Sequence, residues 1–171
     1  MKSLAKFFLI GMPGSGKSTL GKKVAAELDL NFYDLDALIE SKEGRSISEI
    51  FEVEGERYFR ECERSLLREV VSKQENYVVA TGGGTPCFYD NLYQMNTSGV
   101  SIFLDPPFET LIKRLLKTNI NTRPKLKDLD LEKTLKETYS ARKPFYTQAK
   151  FSISSSKTEE NELKQVLKSF I

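Results

Sequence analysis

Five short, largely apolar runs are spaced along the chain, and each is followed by glycine, proline or polar residues. Continuous apolar runs of this length are typical of strands that are buried on both faces of a sheet. We therefore predict five strands, at residues 7–10, 32–33, 77–80, 100–104 and 151–153.

The segments between these runs carry apolar residues at helical spacing. Leu20, Val24, Ala25 and Leu28 fall on one face of a helix that we predict to begin near Gly16. Strands that alternate with helices favour a parallel sheet with helices packed on it. The sequence therefore predicts an α/β fold with three α/β/α layers and a central five-stranded parallel sheet. Further helical patterns occupy positions 59, 62, 66 and 70, positions 108, 111, 112, 115 and 116, and positions 163, 166, 167 and 170.

Length and composition narrow the class of protein. The 171 residues suit one domain, and no linker or low-complexity tract divides them, so we expect a single domain over residues 1–171. A net charge of only +2 argues against a nucleic-acid partner. The absence of histidine and the wide separation of Cys62 and Cys87 exclude the common zinc sites. The first apolar run is too short for a signal peptide or a membrane span, so we expect a cytoplasmic protein with no membrane partner.

Residues 11–18, Gly-Met-Pro-Gly-Ser-Gly-Lys-Ser, match the P-loop pattern G-x-x-x-x-G-K-[ST] between a predicted strand and a predicted helix. In a P-loop, backbone N–H groups and the helix N-terminus bind phosphate, while the lysine reaches the β- and γ-phosphates and the following hydroxyl group binds Mg²⁺. An ordinary glycine-rich turn is the alternative, but the pattern and its context rarely coincide by chance. We predict an ATP site at Gly14, Ser15, Gly16, Lys17, Ser18 and Thr19.

Two further features follow predicted strands and should lie at the same edge of the sheet, where ligands bind in such folds. Asp34 and Asp36 follow the second run, and alternation along a strand end would place both carboxylates on one side. Alternatively, an aspartate before Ala37 caps a helix. Gly82, Gly83 and Gly84 follow the third run and would let a ligand approach the backbone closely, although a simple turn is the alternative.

Together these motifs resemble the shikimate kinase family over nearly the full length of the chain. The resemblance rests on the P-loop followed by Thr-Leu-Gly, on the Asp-Leu-Asp segment at 34–36 and on the glycines at 82–84. It also rests on four segments whose order and spacing are specific to that family. These segments are Gly-Arg-Ser-Ile at 44–47, Gly-Glu to Phe-Arg at 55–60, Asn-Thr-Arg-Pro at 121–124 and Arg-Lys-Pro-Phe-Tyr at 142–146.

The resemblance implies a role for each matching residue in the reaction centre. Lys17 and Ser18 would serve ATP and Mg²⁺, and Asp34 would support the same metal ion through water. Asp36 would contact the hydroxyl group that is phosphorylated, as the candidate base. Arg123 would lie on a mobile lid, at about residues 117–128, and reach the phosphates when the lid closes. The catalytic residues implied are Lys17, Asp36 and Arg123.

The same resemblance implies an acceptor pocket, formed by a region at about residues 34–64 and by residues outside that region. Arg60 and Arg142 would bind the shikimate carboxylate, which suits a guanidinium group because it donates two parallel hydrogen bonds. Gly83 and Gly84 would line the pocket, and Gly82 would lie near the γ-phosphate. Arg60 has a second interpretation. It belongs to a series of arginines at helical spacing, at positions 57, 60, 64 and 68, that is typical of a solvated helix face.

The reaction implied is transfer of the ATP γ-phosphoryl group to the 3-hydroxyl of shikimate, in aromatic amino-acid biosynthesis. It would be carried out by a P-loop kinase, expected to be a monomer, with one Mg²⁺ per subunit. Catalysis would come from alignment and charge compensation. Two alternatives remain at this point. One is another P-loop small-molecule kinase, such as a sugar-acid kinase, and the other is a non-catalytic nucleotide-binding module.

Overall fold

The computed structural model of the chain describes residues 4–119, 128–155 and 159–171. All five predicted strands are present. Three of them have the predicted bounds, and the first two are longer by one or two residues because they include the polar residues at their ends. The strands are β1 (Lys6–Ile10), β2 (Asn31–Asp34), β3 (Tyr77–Ala80), β4 (Val100–Leu104) and β5 (Phe151–Ile153).

The strands form one parallel sheet in the order β2-β3-β1-β4-β5. The central strand β1 pairs with β3 on one side and with β4 on the other, so that Phe8 lies opposite both Val79 and Ser101. In open parallel sheets a ligand binds at the carboxyl ends of the strands, where the connections diverge to opposite sides. Here that point is the end of β1, which leads into the P-loop.

Eight α-helices are described, and they cover both faces of the sheet. The four helical patterns expected from the sequence are all found, whereas the helices at 47–53, 91–98 and 128–146 had no predicted counterpart. A short 3₁₀ helix occupies Thr85–Cys87. The helices are α1 (Lys17–Glu27), α2 (Leu35–Glu43), α3 (Ile47–Val53), α4 (Gly55–Val71), α5 (Asn91–Ser98), α6 (Phe108–Asn119), α7 (Asp128–Tyr146) and α8 (Glu159–Lys168).

Successive residues of β1 point into two separate cores. Phe8 and Ile10 belong to the core beneath α2, α4 and α7, while Phe7 and Leu9 belong to the core beneath α1 and α8. The three-layer α/β/α prediction is therefore confirmed. One detail differs, because α8 ends at Lys168 and the ring of Phe170 instead packs edge-to-face on those of Phe7 and Phe151.

The predicted lid, at about residues 117–128, falls where the described chain is interrupted. Helix α6 ends at Asn119 and α7 begins at Asp128. Arg123 therefore lies outside the described residues. Within those residues, no helix has the length and apolar character needed to cross a membrane.

The packing of β3 generates a prediction about stability. Val79 is fully buried, whereas Val53, at the end of α3, is 69% exposed. Val79→Ala should lower the free energy of unfolding by about 1.5–3 kcal/mol, because it removes buried methyl groups and leaves a cavity. Val53→Ala, the same chemical change, should alter it by less than about 0.5 kcal/mol. Urea denaturation measures both, and equal effects would contradict the assignment of Val79 to the core.

Candidate active site

The segment between β1 and α1 folds as a phosphate-binding loop. Gly16, which precedes the first residue of α1, has a φ of 99°, a left-handed conformation that favours glycine. A Cβ atom on Gly11 would lie 2.5 Å from the carbonyl oxygen of Leu104, so the loop can pass the end of β4 only with glycine there. The loop thus directs the N-terminus of α1 into the cleft, where its free N–H groups favour an anion.

Lys17 lies folded back over this loop. Its ammonium group donates hydrogen bonds to the carbonyl oxygens of Gly11 (2.9 Å) and Met12 (2.8 Å) and contacts the hydroxyl oxygen of Ser15 (3.3 Å). Burial lowers the pKa of Lys17 to about 8, and the charge of Arg142 acts in the same direction. The carboxylates of Asp36 and Asp34 oppose that shift.

Ser18 and Asp34 meet at the end of β2. The Ser18 hydroxyl group donates to Asp34 Oδ2 at 2.5 Å. The other carboxylate oxygen of Asp34 accepts the backbone N–H groups of Asp36 (3.1 Å) and Ala37 (3.2 Å), so that Asp34 caps α2. The sequence-based reasoning was therefore wrong in two details. Asp36 lies in the first turn of α2 and not on the strand, and the residue that caps the helix is Asp34.

A hydroxyl group beside a carboxylate suits a hard cation such as Mg²⁺, which takes oxygen ligands and retains several waters. No cluster of three or more potential protein ligands occurs in the described parts of the chain. The residues present therefore fit a metal ion that is held by Ser18 and Asp34 and also by substrate phosphates and water.

Asp36 is the most perturbed carboxyl group in the cleft. Its Oδ1 atom is buried and has no hydrogen-bond partner among the described residues. Burial raises the pKa of Asp36 to about 6, and the negative charges of Asp34 and Glu63 add to this effect. Lys17 opposes it. A carboxylate with an unpartnered oxygen and a raised pKa has the properties of a general base.

The glycines after β3 lie directly against two guanidinium groups. A Cβ atom on Gly83 would lie 2.8 Å from Arg142 Nη1, and one on Gly84 would lie 2.6 Å from Arg60 Nη2. A Cβ atom on Gly82 would lie 2.9 Å from Asp36 Oδ1. The backbone strip therefore brings both predicted acceptor arginines and the candidate base to one place, and any side chain on it would displace one of these groups.

Arg60 differs from the other arginines of its series. It is buried at 7% exposure, whereas the side chain of Arg57 is 90% exposed. Its Nη1 atom donates to Glu63 Oε2 at 2.9 Å, and its guanidinium group lies 4.1 Å from the centroid of the Phe88 ring. The interpretation of Arg60 as part of a solvated face is thus wrong, because this arginine turns inward.

Two buried residues of the site were not predicted from the sequence. Glu63 is fully buried on α4 and pairs with Arg60. Tyr146, at the end of α7, donates from its hydroxyl group to the carbonyl oxygen of Gly83 at 2.6 Å. This hydrogen bond links the last turn of α7, which follows Arg142, to the glycine strip. Tyr146 belongs to the Arg-Lys-Pro-Phe-Tyr segment, which was the available indication, whereas nothing in the sequence distinguished Glu63 from a surface glutamate.

A cleft of about 790 Å³ runs along the P-loop. At one end it contains the P-loop with Ser18 and Thr19, together with Asp36 and Gly83. At the other end Arg114 donates to Glu159 at 2.9 Å and to the carbonyl oxygen of Gly14 at 3.4 Å, and Lys117 lies beside them. The cleft therefore joins the phosphate-binding loop to Asp36 and the glycine strip on one side and to a second charged pocket on the other.

Comparison with known proteins identifies the family. The family model described as shikimate kinase matches residues 13–171, which include most of the P-loop, the two aspartates, the glycine strip and both acceptor arginines. The chain belongs to the shikimate kinase family. A shikimate kinase of Clostridium botulinum (strain 657 / Type Ba4) is 44% identical over 153 residues, which cover 90% of this chain and 89% of that protein. One of Parabacteroides distasonis is 41% identical over 157 residues, 90% of each chain.

Solved structures agree with this family assignment. The crystal structure of shikimate kinase from Bacteroides thetaiotaomicron superposes with a TM-score of 0.84 at 37% identity and covers 96% of each chain. Shikimate kinase from Acinetobacter baumannii, solved in complex with shikimate, gives a TM-score of 0.85 at 32% identity, over 98% of this chain and 93% of that one. The predicted fold, family and ATP-dependent shikimate kinase activity are therefore confirmed.

The raised pKa of Asp36 generates a prediction about stability. Because the pKa in the folded state, about 6, exceeds the ordinary value of 3.8, the ionised group destabilises the fold, and this cost develops as the pH rises from about 4 to 6. Asp36→Asn should therefore raise the free energy of unfolding at pH 7 by about 1–3 kcal/mol.

Urea denaturation at pH 7 and below pH 4 measures this effect, and the gain should disappear at the lower pH. Asp29→Asn, the same change at an exposed position, serves as the control and should leave the stability nearly unchanged. A loss of stability in Asp36→Asn at pH 7 would contradict the electrostatic argument.

Proposed function

We propose that this chain transfers the γ-phosphoryl group of ATP to the 3-hydroxyl of shikimate, producing shikimate 3-phosphate and ADP, and that the residues of the cleft divide this task as follows. The observation that carries the assignment of residues is the convergence of Lys17, Asp36 and the two arginines, Arg60 and Arg142, around one glycine strip. A phosphate site next to a carboxylate and two guanidinium groups suits an acidic acceptor that bears a hydroxyl group.

The P-loop half of the cleft binds the nucleotide. The β- and γ-phosphates replace the loop carbonyls as partners of the Lys17 ammonium group, while backbone N–H groups from Gly14 to Thr19 face the remaining phosphate oxygens. Ser18 and Asp34 would hold one Mg²⁺, which supplies positive charge to the phosphates when bound. Arg123, by its match to the family, adds a second positive charge from the lid.

The glycine-lined half binds shikimate through its carboxylate. Arg60 and Arg142 approach the strip from α4 and α7, so both can donate to one carboxylate lying across Gly83 and Gly84. Bound in this way, the acceptor has its acid group at the arginines and a ring hydroxyl group toward Asp36. The distance between the two ends of the pocket thus selects which hydroxyl group reacts.

Asp36 serves as the base. Its carboxylate, which lines the cleft, accepts the proton of the 3-hydroxyl as the new O–P bond forms. The bond between the γ-phosphorus and the bridging oxygen breaks, and its electrons remain on ADP. Lys17 compensates the charge that develops on the leaving oxygen. Little covalent chemistry is required of the protein, so alignment of the two substrates supplies much of the rate.

We further propose that residues 1–171 form one domain that acts as a monomer in the cytoplasm, without nucleic-acid or membrane partners. In support, the solved shikimate kinases match over 96% or more of this chain, and the nearly neutral net charge of +2 offers no electrostatic attraction to nucleic acid.

The two perturbed groups predict the pH dependence of kcat/KM. Asp36 must be ionised to accept a proton, so activity should fall as the pH drops below about 6. Lys17 must be protonated to bind phosphate, so activity should also fall as the pH rises above about 8. ADP release measured with both ATP and shikimate limiting gives this bell-shaped profile, which then reports the free enzyme. In Asp36→Asn the residual activity should lack the acid limb, and an unchanged acid limb would exclude Asp36 as the base.

Arg142 tests the acceptor. Arg142→Ala should weaken shikimate binding by about 1.5–3 kcal/mol, the range for a hydrogen bond to a charged group, and Arg142→Lys should restore only part of the loss because an ammonium group cannot make the two-pronged contact. The affinity for ATP should be nearly unchanged. Arg57→Ala removes an exposed arginine and is the matched control.

The deciding comparison uses shikimate and an analogue that lacks the carboxylate. The wild-type enzyme should strongly prefer shikimate, and Arg142→Ala should lose much of that preference. The rates of ADP release with quinate, gluconate and AMP as acceptors serve as the reference for the rate with shikimate. If the variant kept the full preference, Arg142 would not bind the acid.

A further inference from the structure

Behind the glycine strip lies a buried chain of polar groups that starts at Arg60 and continues through residues to which the proposed reaction assigns no role. It links Arg60, Glu63, Thr85 and Asn91, and each of these residues is 7% exposed or less. The Arg60 guanidinium group donates to Glu63 Oε2 at 2.9 Å, and the Thr85 hydroxyl group donates to Glu63 Oε1 at 2.5 Å. The Asn91 side-chain amide donates to the carbonyl oxygen of Thr85 at 3.0 Å.

Glu63 holds Arg60 in place from the buried side. The other carboxylate that contacts Arg60 belongs to Glu56, whose side chain is 57% exposed and lies at 3.2 and 3.3 Å. An exposed partner contributes little to orientation, because water competes with it. The fully buried Glu63 carboxylate therefore sets the position of the guanidinium group against Gly84.

Glu63 in turn depends on Thr85. Each carboxylate oxygen of Glu63 has one donor, Arg60 on one side and Thr85 on the other. The oxygens Asp36 Oδ1, Glu63 Oε1 and Thr85 Oγ1 converge on the space beside Gly82, where a Cβ atom would lie 2.9, 2.9 and 3.1 Å from them. Without the Thr85 hydroxyl group, Glu63 Oε1 would lose its donor while it lies near the unpartnered Asp36 oxygen, and the two negative charges repel.

Thr85 is itself held by the backbone around it. Its N–H group donates to the carbonyl oxygen of Gly82 at 3.1 Å, and its own carbonyl oxygen accepts from Asn91. Its side chain is fully buried and does not line the cleft. Thr85 is therefore placed to act on the acceptor through Glu63 and Arg60, and not by contact with it.

We propose that Thr85 is a positioning residue for acceptor binding, whose hydroxyl group orients Glu63 so that Glu63 presents Arg60 to the acceptor carboxylate. This inference rests on the proposed role of Arg60. It goes beyond that role by assigning acceptor affinity to a hydroxyl group outside the binding surface. It also explains why the turn after the glycines carries a buried hydroxyl side chain at this position.

The test is Thr85→Val, which keeps the shape of the side chain and removes the donor. The KM for shikimate should rise by about five- to twentyfold, less than for direct loss of a hydrogen bond to a charged group because the effect reaches the acceptor only through Arg60. The KM for ATP should change by less than about twofold. Thr85→Ser restores the donor and should bring the KM for shikimate back to within about threefold of wild type. Ser101→Ala removes another fully buried hydroxyl group, on β4, and serves as the control that should leave both KM values unchanged.

A second measurement separates this inference from the role of Arg60. Arg60→Lys keeps a positive charge beside Glu63 but loses the planar fork. If Arg60 binds the acid, this variant alone should raise the KM for shikimate. If Thr85 acts through Arg60, adding Thr85→Val to Arg60→Lys should raise the KM much less than it does in the wild type. If Arg60→Lys raises the KM for shikimate and Thr85→Val does not, only the role of Thr85 is overturned. If Arg60→Lys leaves this KM unchanged, the proposed role of Arg60 is overturned.

Three other results would also overturn the role of Thr85. These are an unchanged KM for shikimate in folded Thr85→Val, an equal rise in both KM values, and a failure of Thr85→Ser to restore the affinity. If Thr85→Val does not fold, Thr85→Cys takes its place. Its weaker S–H donor should raise the KM for shikimate above that of both wild type and Thr85→Ser, and a wild-type value in Thr85→Cys would overturn the inference.

Discussion

The site depends on one buried positive charge, the ammonium group of Lys17. Its hydrogen bonds to the carbonyl oxygens of Gly11 and Met12 close the P-loop around it, and burial in this position is costly for a charged group unless partners compensate it. Asp34 and Asp36 supply the compensating charge from β2 and α2. Asp34 also accepts the Ser18 hydroxyl group, and Asp36 is the candidate base, so the residues that balance the charge also carry the chemistry.

Because the charged groups lie so close together, the backbone between them has no room for side chains. At Gly83 and Gly84 even a single methyl group would come within 3 Å of a guanidinium nitrogen. A Cβ atom on Gly83 would also lie 2.9 Å from the Pro13 side chain of the P-loop, so the strip is in close contact with both an arginine and the P-loop. Two side-chain hydrogen bonds to backbone carbonyl oxygens hold the strip and the turn after it in place, from Tyr146 to Gly83 and from Asn91 to Thr85. Rigidity of the acceptor pocket thus comes from buried polar contacts as well as from apolar packing.

The strands and the P-loop were predictable from the sequence because their determinants are local. Buried parallel strands are short continuous apolar runs, and the predicted bounds of β3, β4 and β5 agree with the structure residue by residue. Helix α3 was missed although Ser46 and Glu49 form a capping box, because a helix of only seven residues carries little periodicity. Helix α7 was missed because its apolar residues form only a weak face along the helix.

The buried acidic residues could not be predicted in the same way. Glu63 lies three residues after Arg60, a spacing that is common on exposed helix faces, and only the packing of α4 against the 3₁₀ turn at Thr85–Cys87 makes this pair internal. The sequence predicted that Asp34 and Asp36 lie at the end of β2, but it did not predict which residue ends the strand. The strand ends at Asp34 and the helix begins at Leu35 because the Asp34 side chain accepts the backbone N–H groups of Asp36 and Ala37.

The lowered pKa of Lys17 also has a consequence for nucleotide binding. In the free enzyme a pKa of about 8 leaves part of the lysine population neutral in mildly alkaline buffer. Polyphosphate next to the ammonium group favours the charged form, so binding takes up protons from the solvent. The heat measured when ATP binds therefore contains the ionisation enthalpy of the buffer, and the intrinsic binding enthalpy is obtained only by extrapolation across buffers of different ionisation enthalpy.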